Sequence, residues 1–485
     1  MSSLWLFVYR HALVVLWVTL LASALVFGVL PPATALGAGD ESKPFIDVTE
    51  AMGLKGNNGG VAAWGDFDND GWVDVCIGGE VWRNEEGKRF TKVAKVGGPA
   101  IWGDFDNDGY LDLFCWESGK LYRNVKGREF VEVKFPPLPM KVSVGAVWGD
   151  FDGDGFLDLY VTGYEANDAY QPHAIFRNQG DGTFAEIWRT KDKLQPGRGV
   201  TAADFNEDGH LDIFVSNYRL EANLLWLNDG KGKFTDVAKD FGAQGNLRMG
   251  CYGHTIGSAW GDLDNDGHLD LFVGKFSHPP EYQDRSQFLR NMGPDKKWHF
   301  EDMTKTANLR WQESYASPAL GDYDNDGWLD LYFTTVYPGD KSVLYRNRGK
   351  WKFEEVKDGG GLSLPQTYQA AWADFNNDGH LDMITGGRLF RNPGNSNHWL
   401  KVHLEGGGKV NRAAIGAQAR LHLDKDTLTR QVEGATGQGN QNDLTLHFGL
   451  GAQKEPIRLE IRWPDGTRQE VDTPVDRTVT VKRAK

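Results

Sequence analysis

The sequence predicts an all-β fold, a seven-bladed β-propeller closed by an N-terminal strand and followed by a small C-terminal domain resembling a β-sandwich. Three observations carry this prediction. An acidic turn of the form D-x-D/N-x-D-G-x-x-D recurs seven times, beginning at Asp66, Asp104, Asp150, Asp204, Asp262, Asp322 and Asp374. A short aromatic or aliphatic strand ending in Asn follows each turn, from VWRN at 81–84 to LFRN at 389–392. A further strand opening on Phe follows six of these, and its remaining copy, PFIDVTEAMGL at 44–54, precedes the first repeat.

Each element reads from local pattern. An apolar strand such as VAAWG (61–65) leads into the acidic turn, and a second such as WVDVCI (72–77) leaves it with period-two alternation, which makes a hairpin. The Asn-terminated strand is the third. The fourth begins at Phe90, Phe130, Phe184, Phe234, Phe300 and Phe353, and four strands per repeat make a propeller blade. Because the seventh Phe strand stands at the N-terminus, Phe45–Thr49 is expected to complete the blade begun at Asp374. Both ends of the repeat region then share one sheet, and no long strand edge stays open.

The acidic turn spaces side-chain oxygens at positions 1, 3, 5 and 9, with a backbone carbonyl at 7 and a glycine at 6 for the sharp bend. Calcium accepts such a set, because it takes six to eight hard oxygens in a tolerant geometry. The predicted ligands of the first loop are Asp66, Asp68, Asp70, Trp72 through its carbonyl, and Asp74. The others are Asp104, Asp106, Asp108, Tyr110 and Asp112; Asp150, Asp152, Asp154, Phe156 and Asp158; Asp204, Asn206, Asp208, His210 and Asp212; Asp262, Asp264, Asp266, His268 and Asp270; Asp322, Asp324, Asp326, Trp328 and Asp330; and Asp374, Asn376, Asp378, His380 and Asp382. Up to seven Ca²⁺ ions are therefore expected, bound more weakly where Asn206 and Asn376 replace a carboxylate. The three histidines sit at position 7, which contributes a carbonyl, so zinc is not the expected ion. Being sevenfold, the loops read as scaffold.

A formal charge of −14 on 485 residues argues against nucleic acid as a partner. Arg10 followed by the apolar run Ala12–Leu30 marks residues 1–38 as a signal peptide or an uncleaved membrane anchor. Either places the remainder outside the cytoplasm, periplasmic, secreted or tethered through residues 12–30 to the outer face of the membrane. Cys76, Cys115 and Cys251 are too few for a disulfide framework, and any one pairing stays open.

The repeats resemble the FG-GAP or VCBS repeats of integrin-α-like propellers, covering residues 44–393. Residues 397–483 carry NRAAIGA (411–417), HFGLG (447–451) and RWPDG (462–466), which resemble the signatures of the ASPIC/UnbV domain. Together they resemble the cartilage acidic protein family in its bacterial form. The resemblance implies secreted or surface calcium-binding proteins, with enediyne-biosynthesis proteins among the relatives, and only the metal ligands carry over. Asn411 and Arg412 are expected to fix a turn or to contact the propeller.

Strand directions alternate, so the acidic hairpins lie on one face and the 2–3 and 4–1 connections on the other. Blades 3 to 6 extend those connections, as in GYEANDAYQPHA at 163–174. Tyr164, Tyr170, His173, Tyr218, Arg219, Tyr252, His254, His278, Tyr282 and Arg285, joined by Arg248, Trp311 and Tyr337, are the candidate ligand residues of that rim. The favoured reading is a non-enzymatic recognition or adhesion module of the cell envelope, taking a glycan or a protein. The alternative is a calcium-stabilised lyase or dehydratase, or a biosynthetic protein of the enediyne type, with Arg198, Tyr252 and His254 as candidate clamp and base.

Overall fold

The computed structural model describes residues 44–279, 284–423 and 425–484; the expected export segment and the rim candidate Tyr282 lie outside the described residues. Among the described residues, each of the seven repeats forms one four-stranded antiparallel sheet. The first holds Ala62–Gly65, Asp74–Ile77, Glu80–Asn84 and Phe90–Lys95. In the seventh, Arg388–Arg391 pairs with the N-terminal strand Ile46–Asp47, Ile46 standing opposite Arg391. The first strands of successive repeats touch one another in order, and that of repeat 1 touches that of repeat 7, so the ring closes.

Two recurring side chains tie neighbouring blades together, a tryptophan in five of the repeats and an asparagine in all seven. That tryptophan, two residues before the acidic turn, is buried, and in three blades its indole N–H donates to a carbonyl of the preceding blade: Trp64 to Ala371 at 3.3 Å, Trp102 to Ala63 at 3.0 Å and Trp148 to Ile101 at 3.4 Å. The asparagine ending the third strand does more. Asn178 donates from Nδ2 to Phe105 O of the preceding blade (2.7 Å) and to Leu157 O of its own (3.2 Å), while its Oδ1 accepts from Gly180 N (3.0 Å). Asn84, Asn124, Asn228, Asn291, Asn347 and Asn392 make the same cross-blade bond. Only an amide both donates twice and accepts, which is why the sequence repeats Asn here.

After residue 397 the chain forms a three-stranded sheet (His398–Glu405, Leu446–Gly451 and Arg477–Lys482) and a four-stranded one (Gln418–Leu423, Asp426–Gln431, Ile457–Arg462 and Arg468–Thr473). Leu400, Val402, Phe448 and Leu450 of the first share one buried core with Ala419, Leu421, Leu459 and Ile461 of the second. Asn411 fixes its turn through both amide atoms, bonding Ile415 N and O, while Arg412 N donates to Asn107 Oδ1 of the propeller (2.8 Å).

This domain lies against the acidic-turn face and sends residues 432–443 into the ring. Gln441 bridges blades 1 and 2: its backbone pairs with Ala62 O and Trp64 N, and its side-chain amide with Trp102 N (2.7 Å) and Trp102 O (3.0 Å). Asn442 Oδ1 accepts from Trp372 N of blade 7 (2.9 Å), and Gly437 N donates to Ser258 O of blade 5 (2.8 Å). Gly437 stands at φ 60°, with Ser317 Oγ where a Cβ would go. The channel is thus filled by the chain's own backbone, which satisfies the inward-facing edges of the first strands.

The three cysteines are unpaired, Cys76 and Cys115 being buried in the second strands of blades 1 and 2.

Candidate functional site

Five of the seven acidic turns bring three carboxylate oxygens within 4.8 Å of one another: those of Asp66, Asp104, Asp150, Asp262 and Asp322. The backbone organises each cluster. Asp66 accepts from Asp70 N (3.2 Å) and Gly71 N (2.9 Å), wrapping the turn around its first residue. Asp74 accepts from Asn84 N (2.7 Å) and Phe67 N (3.1 Å), tying the turn to the third strand. The remaining blades repeat this scheme, with Asp104, Asp150, Asp204, Asp262, Asp322 and Asp374 each accepting the N–H of their own glycine.

Carboxylates gathered this way resist ionising together. Burial, with the like charge of neighbouring carboxylates adding to it, pushes Asp66, Asp104 and Asp150 up to about 7 and Asp74 to about 9, and backbone hydrogen bonds only partly oppose the rise. Position 3 shows what is missing. In four blades its Oδ2 meets the arginine of the third strand: Asp68 with Arg83 (2.8 Å), Asp152 with Arg177 (2.6 Å), Asp264 with Arg290 (2.6 Å) and Asp324 with Arg346 (2.5 Å). The other oxygen, Oδ1, is buried in all four without a hydrogen-bond partner. A buried anionic acceptor left open in a cluster of carboxylates fits a bound cation, and the all-oxygen donor set fits a hard one. The three histidines pack on a glycine exactly as the aromatic residues at their position do, His210 on Gly230 and His380 on Gly394 like Phe156 on Gly180.

Blades 4 and 7 differ. Asn206 donates to Asp208 Oδ2 (2.9 Å) and Asn376 to Asp378 Oδ2 (2.8 Å), so an amide offsets part of the charge within each turn. Blade 4 also has Leu227 where most blades carry the arginine. The C-terminal domain adds further compensation, with Lys401 Nζ 2.9 Å from Asp374 Oδ2.

The turns are also linked to one another. Asn69, Asn107, Asn265, Asn325 and Asn377, at position 4, each donate to the glycine carbonyl of the next turn around the ring. Gly153 and Glu207 interrupt this belt. Burial raises the Glu207 carboxyl, but His268, Arg420 and Arg462 at 2.7, 2.9 and 2.5 Å outweigh it and hold the group well below the usual range.

On the opposite face, blades 3 to 6 bring a subset of the rim candidates together. Arg198 lies over the rings of Tyr218 (5.0 Å) and Tyr164 (5.7 Å). Tyr218 in turn packs on His254, ring centroids 4.5 Å apart, and His254 stands 5.9 Å from His278. Phe276 links these to Tyr337, and Arg219 pairs with Glu165 at 2.7 Å. Burial, then the cationic neighbours His278, Arg219 and Arg198, lowers His254 to about 4, and its Nδ1 is buried without a partner.

The other candidates stand apart. His173 is a correction: it is wholly interior, because its ring packs against Tyr160 and Gly197 and its Nε2 bonds Gln195 O at 3.0 Å. Tyr170 belongs to a small hairpin with Glu165. Tyr252 donates its hydroxyl to Gln244 Oε1 (3.3 Å). Arg285 lies over Trp311, and Arg248 stands 3.9 Å from Asp284, in a separate patch between blades 5 and 6. The cross-blade asparagine and the plug at 432–443 were not identified from sequence; the first was visible as an invariant strand end, the second had no periodic signal.

Residues 104–161, 165–215, 204–273 and 322–385 match the FG-GAP-like repeat family, and residues 407–485 match the ASPIC and UnbV family. Cartilage acidic protein 1 of Xenopus tropicalis is 27% identical over 336 residues, covering 63% of this chain and 49% of that protein. Its counterpart in Mus musculus is 28% identical over 296 residues, covering 56% and 43%. The chain spans about half the length of the curated relatives it matches. Among solved structures, the Dos1 propeller aligns with 73% of this chain and 96% of its own, at 10% identity and a TM-score of 0.36.

Proposed function

This chain belongs to the proteins that join FG-GAP-like repeats to an ASPIC and UnbV domain, and is homologous to cartilage acidic protein 1; on that ground we propose that it works outside the cytoplasm as a calcium-stiffened recognition module. The ions occupy the acidic turns of the propeller and offset carboxylates that would otherwise repel or take up protons. The ligand, a glycan or a protein of the cell envelope, docks on the rim of blades 3 to 6.

One observation supports this placement above the rest. The acidic face is covered by the C-terminal domain and the channel is filled by residues 432–443, which leaves the far rim as the elaborated surface open to a partner. Long connections carrying aromatic and charged side chains are the usual seat of recognition on a rigid scaffold.

The test is binding of the purified protein to a glycan array and to envelope extracts in millimolar calcium, beside Tyr218→Ala and His254→Ala. Retention by the wild type and loss in both variants is the expected result. Equal retention by all three would move the ligand elsewhere, and new unsaturated or shortened sugars would favour the enzymatic alternative.

A further inference from the structure

Arg198 stands at the far-rim end of the first strand of blade 4, and its surroundings are unusual for a guanidinium. It is the extra residue of a β-bulge: in the first strand of blade 4 the register steps from Gly197 opposite Asn217 to Gly199 opposite Ser216. A bulge re-aims the side chain it inserts. Directly beneath, Gly199 touches the plug, since a Cβ there would collide with Gly437 O and with Ile256 O. The plug tip therefore lies against the residue that follows Arg198.

The side chain is held between Tyr164 and Tyr218, its Nε is buried, and that Nε has no hydrogen-bond partner. The rings of Tyr164 and Tyr218 lie against it with Tyr368 and Arg219 nearby, while Glu165 is engaged by Arg219 and Glu313 by His278. Burial disfavours the charged form. The residue is half-buried, and a charge drawn partly out of water with no counter-charge beside it favours a partner. Cation–π contacts offset only a part of that loss.

We infer that Arg198 is a binding residue for a carboxylate carried by an acidic glycan, a uronic acid whose ring face stacks on the rim tyrosines. This rests on the far rim being the recognition surface. A planar guanidinium meets a carboxylate in a bidentate pair, and Tyr164, Tyr218 and Tyr368 supply apolar faces with polar tips suited to the C–H face of a sugar. His254, neutral at physiological pH, packs on Tyr218 and backs that ring without competing for the acid.

The experiment titrates the full chain in calcium with trigalacturonate, its methyl ester, and triglutamate, for the wild type, Arg198→Met and Tyr218→Ala. Trigalacturonate should bind the wild type, with the ester and Arg198→Met each weakened about 10–100-fold, the loss expected for a charged hydrogen-bonded contact. Without ligand, Arg198→Met should melt no lower than the wild type, and about 1–2 °C higher, because a half-buried charge with no acid partner has been removed. Equal binding of the acid and the ester, or a lowered Tm in Arg198→Met, would overturn the inference by making Arg198 structural. Preference for triglutamate would assign the site to an acidic protein instead. If Tyr218→Ala leaves trigalacturonate binding intact, the recognition surface itself is misplaced, which separates that failure from the failure of Arg198 as its anion contact.

Discussion

The two faces of the ring handle charge in opposite ways. On one, carboxylates are crowded and then compensated, by arginines of the third strands, by Lys401, Arg420 and Arg462 of the C-terminal domain, and by an acceptor set shaped for a cation. On the other, a half-buried guanidinium is held between tyrosines with no acid paired to it. The compensated face is sevenfold and covered, and the uncompensated one occurs once and lies open. Repetition marks structure, and a guanidinium set once between tyrosines marks a place where something external is expected.

Removing the cations should break the compensated face most severely. An ion bound only by the folded chain adds about 2.7 kcal/mol when present at a hundred times its Kd, so the five three-carboxylate clusters together stand for on the order of 10 kcal/mol. Calorimetry in EGTA should show a large fall in Tm, and an unchanged Tm would mean that the turns are self-sufficient. The pH dependence carries a sign of its own. Without cation, Asp66, Asp104 and Asp150 titrate near 7 and Asp74 near 9 in the folded chain, against 3.8 when unfolded. The folded state then binds more protons between about 4 and 9, so stability is greatest below that window and falls as pH rises through it. In EGTA the Tm should drop between pH 5 and pH 8; in saturating calcium, which holds the groups ionised, that slope should vanish.

The contacts closing the ring come next. Asn178→Ala strips Phe105 O, Leu157 O and Gly180 N of their partner, and three orphaned groups cost about 3–5 kcal/mol in a denaturant titration. Gln441→Ala leaves Trp102 N and O unpaired inside the channel, for about 2–4 kcal/mol. If Gln441→Ala were silent, the plug would be a passive filling and the C-terminal domain a separable one.

How legible these features were in the sequence follows from how local they are. The acidic turns, the Trp before them and the N-terminal closing strand are short repeated strings, and the ring closes through Ile46 and Arg391 as that pattern required. The plug could not be read, because Gln441 and Trp102 are 339 positions apart and neither belongs to a repeated string. His173 was misplaced for a related reason: a polar residue in a long connection looks exposed until Gly197 and Tyr160 are seen to enclose it. Arg198 was visible only as a charge near a connection, since the bulge that aims it depends on the register with Asn217 and Ser216.

The smallest effect on stability, and the sharpest test of the contrast, is Tyr218→Ala. Tyr218 is only partly buried, and the substitution removes a ring from between His254 and Arg198 without orphaning a backbone group. Its cost should be about 1 kcal/mol, within the range of ordinary substitutions and well below that of Asn178→Ala. Binding at the rim should nevertheless be lost, because an aromatic anchor at the centre of a contact contributes far more to association than to folding. Equal costs for Tyr218→Ala and Asn178→Ala, measured in the same denaturant series, would make the tyrosine part of the core and erase the distinction between a face that is complete and a face that awaits a ligand.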